Sequence, residues 1–561
     1  MSSAGKRGYL PGLQARALFI RCLGRSTWWH GVGIALNERA RRENTSVGAQ
    51  DLGRIAGRVF PVTVVLQLCS FAASLALAAV LGASYATDAY FLGLSVPLLV
   101  FGTTAAAVRL GAIPALTEAQ LSAPARFSET SSELMTAVLA GSTVLVTLVG
   151  LLNILALPHF VSGNDVRTLP LARLMTVELA PLGVLGACSG VLGAILTVRG
   201  RFVAPIAVLC IDPILRVLFV TTVGDRIGIQ AVVVGQLSGN FLAVAVLLHL
   251  AYRARVYLRL MPFLHSRFVI YVVGFSAPLL IAQTVLQVNP VIDRSMAAAL
   301  PTSSVTVLDL AVGMFSVPVA LLVSSLIAPI AATWAARYAE GGWSALRQSY
   351  ARGARVLLLV VPPVVVLGFL LRRELLTITY EWGAFSQGAA DRVAFVFGML
   401  LLGLPAQTLV ILLSTLFVVR RDSVLPMKIA LANVVLNVTL NFPLRHFLGA
   451  AGLALSTTVT YTLLCGVYAG LARRRFGRLG AFARAEVATV MAASGLVAVA
   501  AASLLAILPE VGTKKQALIN IIAVSGSGVG LYCLVLYTFT KGGVIATTNG
   551  VCRLATRLLS R

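Results

Sequence analysis

Uncharged apolar runs of twenty or more residues recur along the whole chain, and they decide what it can fold into. Residues 134–157 are one such run. At about 1.5 Å of rise per residue, twenty helical residues cross the roughly 30 Å hydrocarbon core of a bilayer. Only 12% of the residues are charged and 58% are hydrophobic, whereas about a quarter are charged in a soluble protein. The sequence therefore predicts an all-α polytopic membrane protein, and it excludes a soluble enzyme, a disulfide-rich scaffold and a disordered regulator.

Fourteen spans are predicted, and the basic residues between them agree with one orientation. Lys and Arg are enriched in the cytoplasmic loops of membrane proteins. If the N terminus is cytoplasmic, 32 of the 45 Lys and Arg residues lie on the inner side and 10 on the outer side. Both termini are then expected on the inner side. The predicted spans are 59–81, 89–117, 134–157, 174–198, 203–223, 228–251, 269–289, 304–333, 355–371, 393–418, 426–443, 450–471, 487–508 and 517–540.

The chain also resembles itself at an offset of 221 residues. Matches at this offset occur in several spans, so spans 1–6 and 7–12 are predicted to be two copies of a six-helix bundle. Because six is even, both copies have the same orientation, as in transporters whose halves are related by an axis along the membrane normal. Such lobes around a central cavity are typical of alternating access. The matching segments include 95–97 with 316–318, Asp88 with Asp309, and Gly228 with Gly449.

These spans divide the chain into five predicted parts. A basic cytoplasmic arm covers 1–58, and the first lobe covers 59–251. The second lobe covers 252–473, spans 13 and 14 cover 474–540, and a basic cytoplasmic tail covers 541–561.

Two pairs of polar residues occupy matching positions inside the predicted spans. Asp212 and Arg216 lie one helical turn apart in span 5 and can pair directly. Asn433 and Asn437 are their counterparts in span 11. A charge at the bilayer centre costs about 2.5–3.5 kcal/mol on insertion scales, so such residues need partners. We interpret both pairs as structural, because hydrogen bonds between helices fix the packing of a bundle.

Three further charged residues are candidates for binding a transported molecule in the cavity. Arg109 in span 2 would contact an anionic headgroup or else extend to the membrane interface. Asp88 stands near the start of span 2, where capping of its own helix is the simpler role. Asp309 lies deeper in span 8, where coupling to H⁺ or Na⁺ competes with a packing role.

Other chemistries find no support in the sequence. The net charge of +25 comes mainly from Arg residues scattered between apolar runs, which favours topology and anionic lipid headgroups over nucleic acid. The seven Cys and five His show no metal-ligand spacing. A Walker motif and the usual catalytic constellations are absent, so the chain is not expected to be an enzyme or to carry a cofactor.

Short motifs follow one another in a fixed order from about residue 55 to the C terminus. They are 81–83 with 86–91, 114–118, 193–196 with Arg201, Phe202 and Pro205, 381–385, 421–430 with Asn437, and 449–455. In this order they resemble the MurJ/MviN-type lipid II flippases of the multidrug/oligosaccharidyl-lipid/polysaccharide exporter superfamily.

The resemblance implies movement of an undecaprenyl-pyrophosphate-linked saccharide, lipid II or a related envelope glycolipid, to the outer leaflet of the bacterial inner membrane. Its headgroup would occupy a cavity lined by spans 1, 2, 7 and 8. Membrane potential or a gradient of H⁺ or Na⁺ would drive alternating access. The implied partners are this lipid, anionic membrane lipids and glycosyltransferases of envelope synthesis.

The sequence departs from the family at four cavity positions where the family carries arginines. These positions hold Gln67 and Ala73 in span 1, Phe101 in span 2 and Gly313 in span 8. Arg109 lies about two turns beyond Phe101 and is a candidate for partial replacement.

Several alternatives remain open for the function and for the N terminus. The alternative functions are a flippase for exopolysaccharide or O-antigen precursors on the same fold, an ion-coupled multidrug antiporter, and a scaffold without transport. Residues 1–50 have no counterpart in the family. They are interpreted as a basic segment on the membrane surface or as a start assigned too early.

Overall fold

The computed structural model describes residues 49–160, 167–264, 266–323, 327–419, 424–477, 484–509 and 513–541. Every regular element in these ranges is a helix. Thirteen of these helices are long and apolar enough to cross a membrane. The helix of span 7 has 31 residues, and its residues 268–292 carry no charged side chain. The predicted all-α membrane architecture is confirmed, while most of the predicted arm and tail lie outside the described residues.

Each predicted span corresponds to one long helix or to two consecutive helices, except that residues 328–333 of predicted span 8 lie in the helix that carries span 9. Spans 1 to 6 are Ala49–Leu81, Tyr85–Ser122, Phe127–Phe160, Thr168–Glu178 with Pro181–Val198, Ala204–Val208 with Ile211–Ile227, and Gln230–Arg253. Spans 7 to 12 are Arg267–Ala297, Ser304–Leu322, Ala328–Leu370, Gln387–Val419, Val424–Leu448 and Ala450–Phe476, and spans 13 and 14 are Arg484–Ile507 and Lys514–Lys541. A 3₁₀ turn, Pro124–Arg126, precedes span 3, and a short helix, Arg372–Thr379, follows span 9.

By its contacts the chain divides into residues 1–55 and a compact unit of residues 56–561. The division of the larger unit into two lobes stays a prediction. We call spans 1–6 the first repeat and spans 7–12 the second repeat.

The 221-residue offset is visible in the backbone. Gly228 has φ 60° and ψ −135°, and its counterpart Gly449 has φ 58° and ψ −134°. A second pair shows the same agreement, because Gly82 has φ 62° and Ser303 has φ 72°. Positive φ angles are rare in folded chains outside glycine. Their occurrence at equivalent positions in both repeats supports the register read from the sequence.

Glycines allow span 4 to pack closely against span 2. A Cβ added to Gly190 would lie 2.9 Å from the Cα of Ala105, and one added to Gly186 would lie 2.4 Å from the ring of Phe101. Small residues of this kind let membrane helices approach each other closely. Spans 13 and 14 instead pack against span 9, where Tyr532 donates to the Leu359 carbonyl at 2.8 Å.

The segment that joins the two repeats, described over residues 254–264 and 266, lies along span 3, and we call it the linker. Three of its alternate backbone N–H groups donate to hydroxyls spaced by four residues on span 3. Two residues of extended chain and four residues of helix each advance by about 6–7 Å, so the two series match. The pairs are Tyr257 with Ser128 at 3.3 Å, Arg259 with Ser132 at 3.1 Å, and Met261 with Thr136 at 3.1 Å.

Candidate functional site

The carboxylate of Asp88 caps a helix of the other repeat. Its Oδ2 accepts from the Ser303 N–H at 2.6 Å, and its Oδ1 accepts from the Thr306 N–H at 2.8 Å. Asp88 is only 5% exposed. A carboxylate at a helix N terminus satisfies donors that have no partner within the helix. Asp88 of span 2 therefore stabilises the start of span 8.

The interpretation of Asp88 as the cap of its own helix is wrong. Span 2 begins after Ser84, whose hydroxyl accepts from the Thr87 N–H at 3.4 Å. The Thr87 hydroxyl accepts in return from the Ser84 N–H at 2.9 Å. This reciprocal capping box satisfies the span 2 terminus locally, which leaves the Asp88 carboxylate free for span 8.

Further contacts join the two repeats at this end of the bundle, which we call the Asp88 end. The hydroxyls of Thr87 and Thr306 lie 2.9 Å apart. The Ala384 N–H donates to the Ala79 carbonyl at 2.8 Å. Beside it, a Cβ on Gly383 would lie 2.1 Å from the same carbonyl oxygen, so only glycine permits this approach. The Asp88 end is thus closed by a small set of hydrogen bonds.

Asp309, the repeat counterpart of Asp88, has a different partner. Arg294 donates two hydrogen bonds to its carboxylate in a bidentate pair, with Nη2 at 2.6 Å from Oδ1 and Nε at 2.8 Å from Oδ2. The two side chains are 12% and 10% exposed. A forked guanidinium–carboxylate pair of this kind is strong and directional. The charge of Asp309 is therefore neutralised in place.

A second polar cluster joins span 7 to spans 11 and 12. Asp293 accepts from the Asn441 amide at 2.7 Å, and Asn289 donates to the Asn433 carbonyl at 2.9 Å. Asn437 donates to Thr457 at 3.2 Å, and the Ser456 hydroxyl contacts Asn441. The asparagine stripe of span 11 makes the hydrogen bonds between helices that the structural interpretation requires.

The pairing of Asp212 with Arg216 is confirmed, with 3.1 Å between Oδ2 and Nη2. Their side chains are 18% and 20% exposed. Nearby in the same repeat, Tyr90 donates to Gln236 at 2.6 Å. The pair lies within one helix, which supports the structural role read from its spacing.

The structure describes the surroundings of the four uncharged residues at which the sequence is expected to depart from the family. Gln67 donates to the Ser316 hydroxyl at 2.8 Å, which directly joins spans 1 and 8. Ala73 is buried, and Phe101 packs over Gly186 of span 4. Gly313 faces Ser74, whose hydroxyl would lie 3.9 Å from an added Cβ. The side chain of Arg109, the proposed replacement, lies outside the described residues.

Asp293 and Arg294 were missed in the sequence because the predicted span 7 stops at residue 289. The helix continues to Ala297, so both residues belong to span 7. The spacing of Asn289 and Asp293, one helical turn apart, was the available signal. Among the described residues, no group of three or more His, Cys, Asp or Glu side chains is placed to hold a metal ion.

Comparison with known proteins identifies the family of the chain. The model of the family "Lipid II flippase MurJ" matches residues 77–524. The chain belongs to this family.

Curated members of the MurJ family match the chain over part of their length. The probable lipid II flippase MurJ of Borreliella burgdorferi is 24% identical over 251 residues, which are 43% of this chain and 48% of the relative. That of Buchnera aphidicola is 25% identical over 183 residues, or 33% of this chain and 36% of the relative. The chain thus spans about half or less of the curated relatives it matches.

Solved structures show the same fold. A lipid II flippase MurJ in an inward closed conformation superposes with a TM-score of 0.72 at 16% identity, covering 86% of this chain and 99% of that chain. An inward-facing multidrug resistance MATE family transporter gives a TM-score of 0.62 at 14% identity, covering 76% and 99%. These likenesses establish a transporter fold of the MurJ and MATE type.

Proposed function

We propose that the protein is a flippase that moves a lipid-linked saccharide across the bacterial inner membrane by alternating access. The observation that carries this proposal is the cap that Asp88 of one repeat places on span 8 of the other. Spans 2 and 8 are counterparts in the two repeats, and their contact closes one end of the bundle through separable hydrogen bonds. Membership of the MurJ family supports the same function.

The Asp88 end is proposed to face the outer side of the membrane. The linker, with Arg255 and Arg259, and the flanking helix ends at Arg253 and Arg267 lie at the opposite end, as the alternation of the spans requires. Basic residues favour the cytoplasmic side. In this orientation the contacts of Asp88 form an outer gate, and both termini are cytoplasmic.

The energetics suit reversible opening of such a gate. One helix cap contributes about 0.5–2 kcal/mol, and each further hydrogen bond contributes about 0.5–1.5 kcal/mol net. The sum is a few kcal/mol. A ligand that binds one state better can shift an equilibrium of this size, so cargo binding between the repeats would suffice to open the gate.

We propose that the coupling residue is Asp293 and not Asp309. The bidentate Arg294 already neutralises Asp309. Asp293 has the Asn441 amide as its partner, and within the described residues no cation lies at ion-pair distance from it. A carboxylate that has no ion-pair partner of its own and lies among amide and hydroxyl oxygens is suited to bind H⁺ or Na⁺.

The proposed cargo is an undecaprenyl-pyrophosphate-linked saccharide, with lipid II as the first candidate. Lipid II is the molecule in the printed names of the family and of its curated members. A precursor of another envelope polysaccharide is the second candidate. It is favoured by the uncharged residues Gln67, Ala73, Phe101 and Gly313, since a pyrophosphate is bound best by cations.

The test is depletion of an essential lipid II flippase in a bacterial host that expresses this protein, with an assay of lipid II in the outer leaflet. Rescue is expected if lipid II is the cargo. Absence of rescue by abundant, inserted protein would exclude lipid II and favour the second candidate.

Arg109→Ala tests the cationic contact in the same assay. If Arg109 binds the cargo, this variant should fail to rescue while its level and insertion stay normal. The matched control is R373A, because Arg373 forms an ion pair with Asp391 that is 63% and 51% exposed. Equal rescue by R109A and R373A would remove Arg109 from the proposed site.

A further inference from the structure

Ser303, which receives the cap from Asp88, has an unusual backbone conformation. Its φ of 72° and ψ of 2° are left-handed. The repeat counterpart is Gly82, with φ 62°, and glycine adopts this conformation without steric conflict. Serine does not, so Ser303 is held there by its surroundings.

The contacts of Ser303 account for this conformation. Its N–H donates to Asp88, and its hydroxyl accepts from Arg392 of span 10 at 2.7 Å. The hydroxyl also donates to the Thr302 carbonyl. As a result Ser303 stands at the N-cap of span 8 and yet makes no side-chain capping bond.

The sequence that starts span 8 nevertheless has the spacing of a capping box. Ser303 and Thr306 are separated in the same way as Ser84 and Thr87 at the start of span 2. In span 2 the serine is extended, with φ −139° and ψ 170°, and the two residues cap each other. In span 8 both backbone N–H groups are bound to Asp88 instead.

We propose that Ser303 and Thr306 form a latent capping box, which closes when the outer gate opens and Asp88 withdraws. Ser303 then turns to the extended conformation, and its hydroxyl leaves Arg392 and accepts from the Thr306 N–H. The Thr306 hydroxyl, which donates to Asp88 in the closed gate at 2.5 Å, leaves it and accepts from the Ser303 N–H. Span 8 is therefore capped in both states, by Asp88 when the gate is closed and by its own residues when it is open.

This exchange rests on the proposed function, and it lowers the cost of opening. Without it, separation of the repeats would leave the first N–H groups of span 8 without a partner in the protein. Arg392 is a positioning residue in this scheme, because it holds the Ser303 hydroxyl only while the gate is closed.

The test measures the populations of the closed and open gate. Spin labels are placed at D225C and H446C, two exposed positions that are equivalent in the two repeats at the 221-residue offset. They report the distance between the Asp88 ends of spans 5 and 11. The full-length chain, with its native cysteines replaced by serine, is placed in lipid nanodiscs. S303T keeps the hydroxyl but disfavours the left-handed conformation, so it should lower the closed-to-open ratio about fivefold or more.

A pair of double variants tests the capping hydroxyl itself. R392M removes the side-chain partner that the hydroxyl has in the closed gate and leaves only its contact with the Thr302 carbonyl. In that background S303T and S303V differ only in the hydroxyl, which the scheme uses when the gate is open. R392M/S303V should therefore have a closed-to-open ratio about 2- to 30-fold higher than R392M/S303T, the equivalent of one N-cap.

T302S is the matched control, because it changes one methyl group on the neighbouring exposed residue, and it should leave the ratio unchanged. Equal ratios in the two double variants, or an S303T ratio equal to that of the parent, would overturn the latent box. A single distance in every variant would overturn it as well. Failure of the unlabelled parent to rescue a flippase-depleted host would count against lipid II as the cargo alone, because the distance ratios test the latent box separately.

Discussion

At the scale of the residue, the pair formed by Arg294 and Asp309 allows a sharp prediction of stability. R294M leaves the Asp309 carboxylate buried without its partner, which should lower the free energy of unfolding by about 3–5 kcal/mol. The double variant R294M/D309L removes both charges and should recover most of this loss, because replacing a whole buried pair with apolar groups is close to neutral. The free energies of unfolding of the parent, R294M and R294M/D309L are measured by denaturant or thermal unfolding in detergent, monitored by intrinsic fluorescence.

The control for this prediction is R373M, which breaks an exposed ion pair and should change stability by less than about 1 kcal/mol. A double variant as unstable as R294M would contradict the assigned role of the pair.

The sequence indicated that Asp309 is a charge within a span and needs a partner, but it did not indicate which residue that partner is. Arg294 lies beyond the apolar run of span 7, so hydropathy assigned it to a loop. The pairing of Asp212 with Arg216 was predictable because both residues lie in one helix.

At the scale of the element, the linker should depend on the hydroxyls of span 3. Replacing Ser128, Ser132 and Thr136 together with alanine removes the acceptors of three linker N–H groups. Each hydrogen bond contributes about 0.5–1.5 kcal/mol, so amide exchange at Tyr257, Arg259 and Met261 should accelerate about tenfold or more. Hydrogen–deuterium exchange with mass spectrometry measures this region directly.

The double variant T143A/T147A is the matched control, because these span 3 hydroxyls bond to carbonyls of their own helix. Equal acceleration in both variants would show that loss of span 3 stability, and not loss of the linker contacts, is responsible. The helices themselves followed from apolar runs of sufficient length. The docking of the linker did not, since hydroxyls spaced by four residues are common and their partners lie about 125 residues further along the chain.

At the scale of the whole molecule, hydropathy and the 221-residue offset predicted the bundle. A bilayer requires long apolar segments, and the offset relates these segments in pairs along the chain. The contacts that close the Asp88 end could not be read in the same way. They depend on how the repeats meet, and Asp88 was therefore assigned to the wrong helix. The same limit applied to Asp293, whose polar neighbours come from spans that are distant in the sequence.

The proposed coupling through Asp293 belongs to the whole molecule, because it requires a local charge to control movement between the repeats. D293N removes the carboxylate that has no ion-pair partner of its own and should abolish the dependence of transport on pH and Na⁺ in proteoliposomes. D309N should retain that dependence, since the side-chain oxygen of asparagine can still accept from Arg294. Comparing the dependence of rate on the imposed gradient, and not the rate alone, separates coupling from damage to the fold. If D309N loses this dependence while D293N keeps it, the coupling residue is Asp309, and the neutralising role of Arg294 must be abandoned. If both variants keep it, neither carboxylate senses the ion, and the membrane potential acting on the cargo is left as the driving force.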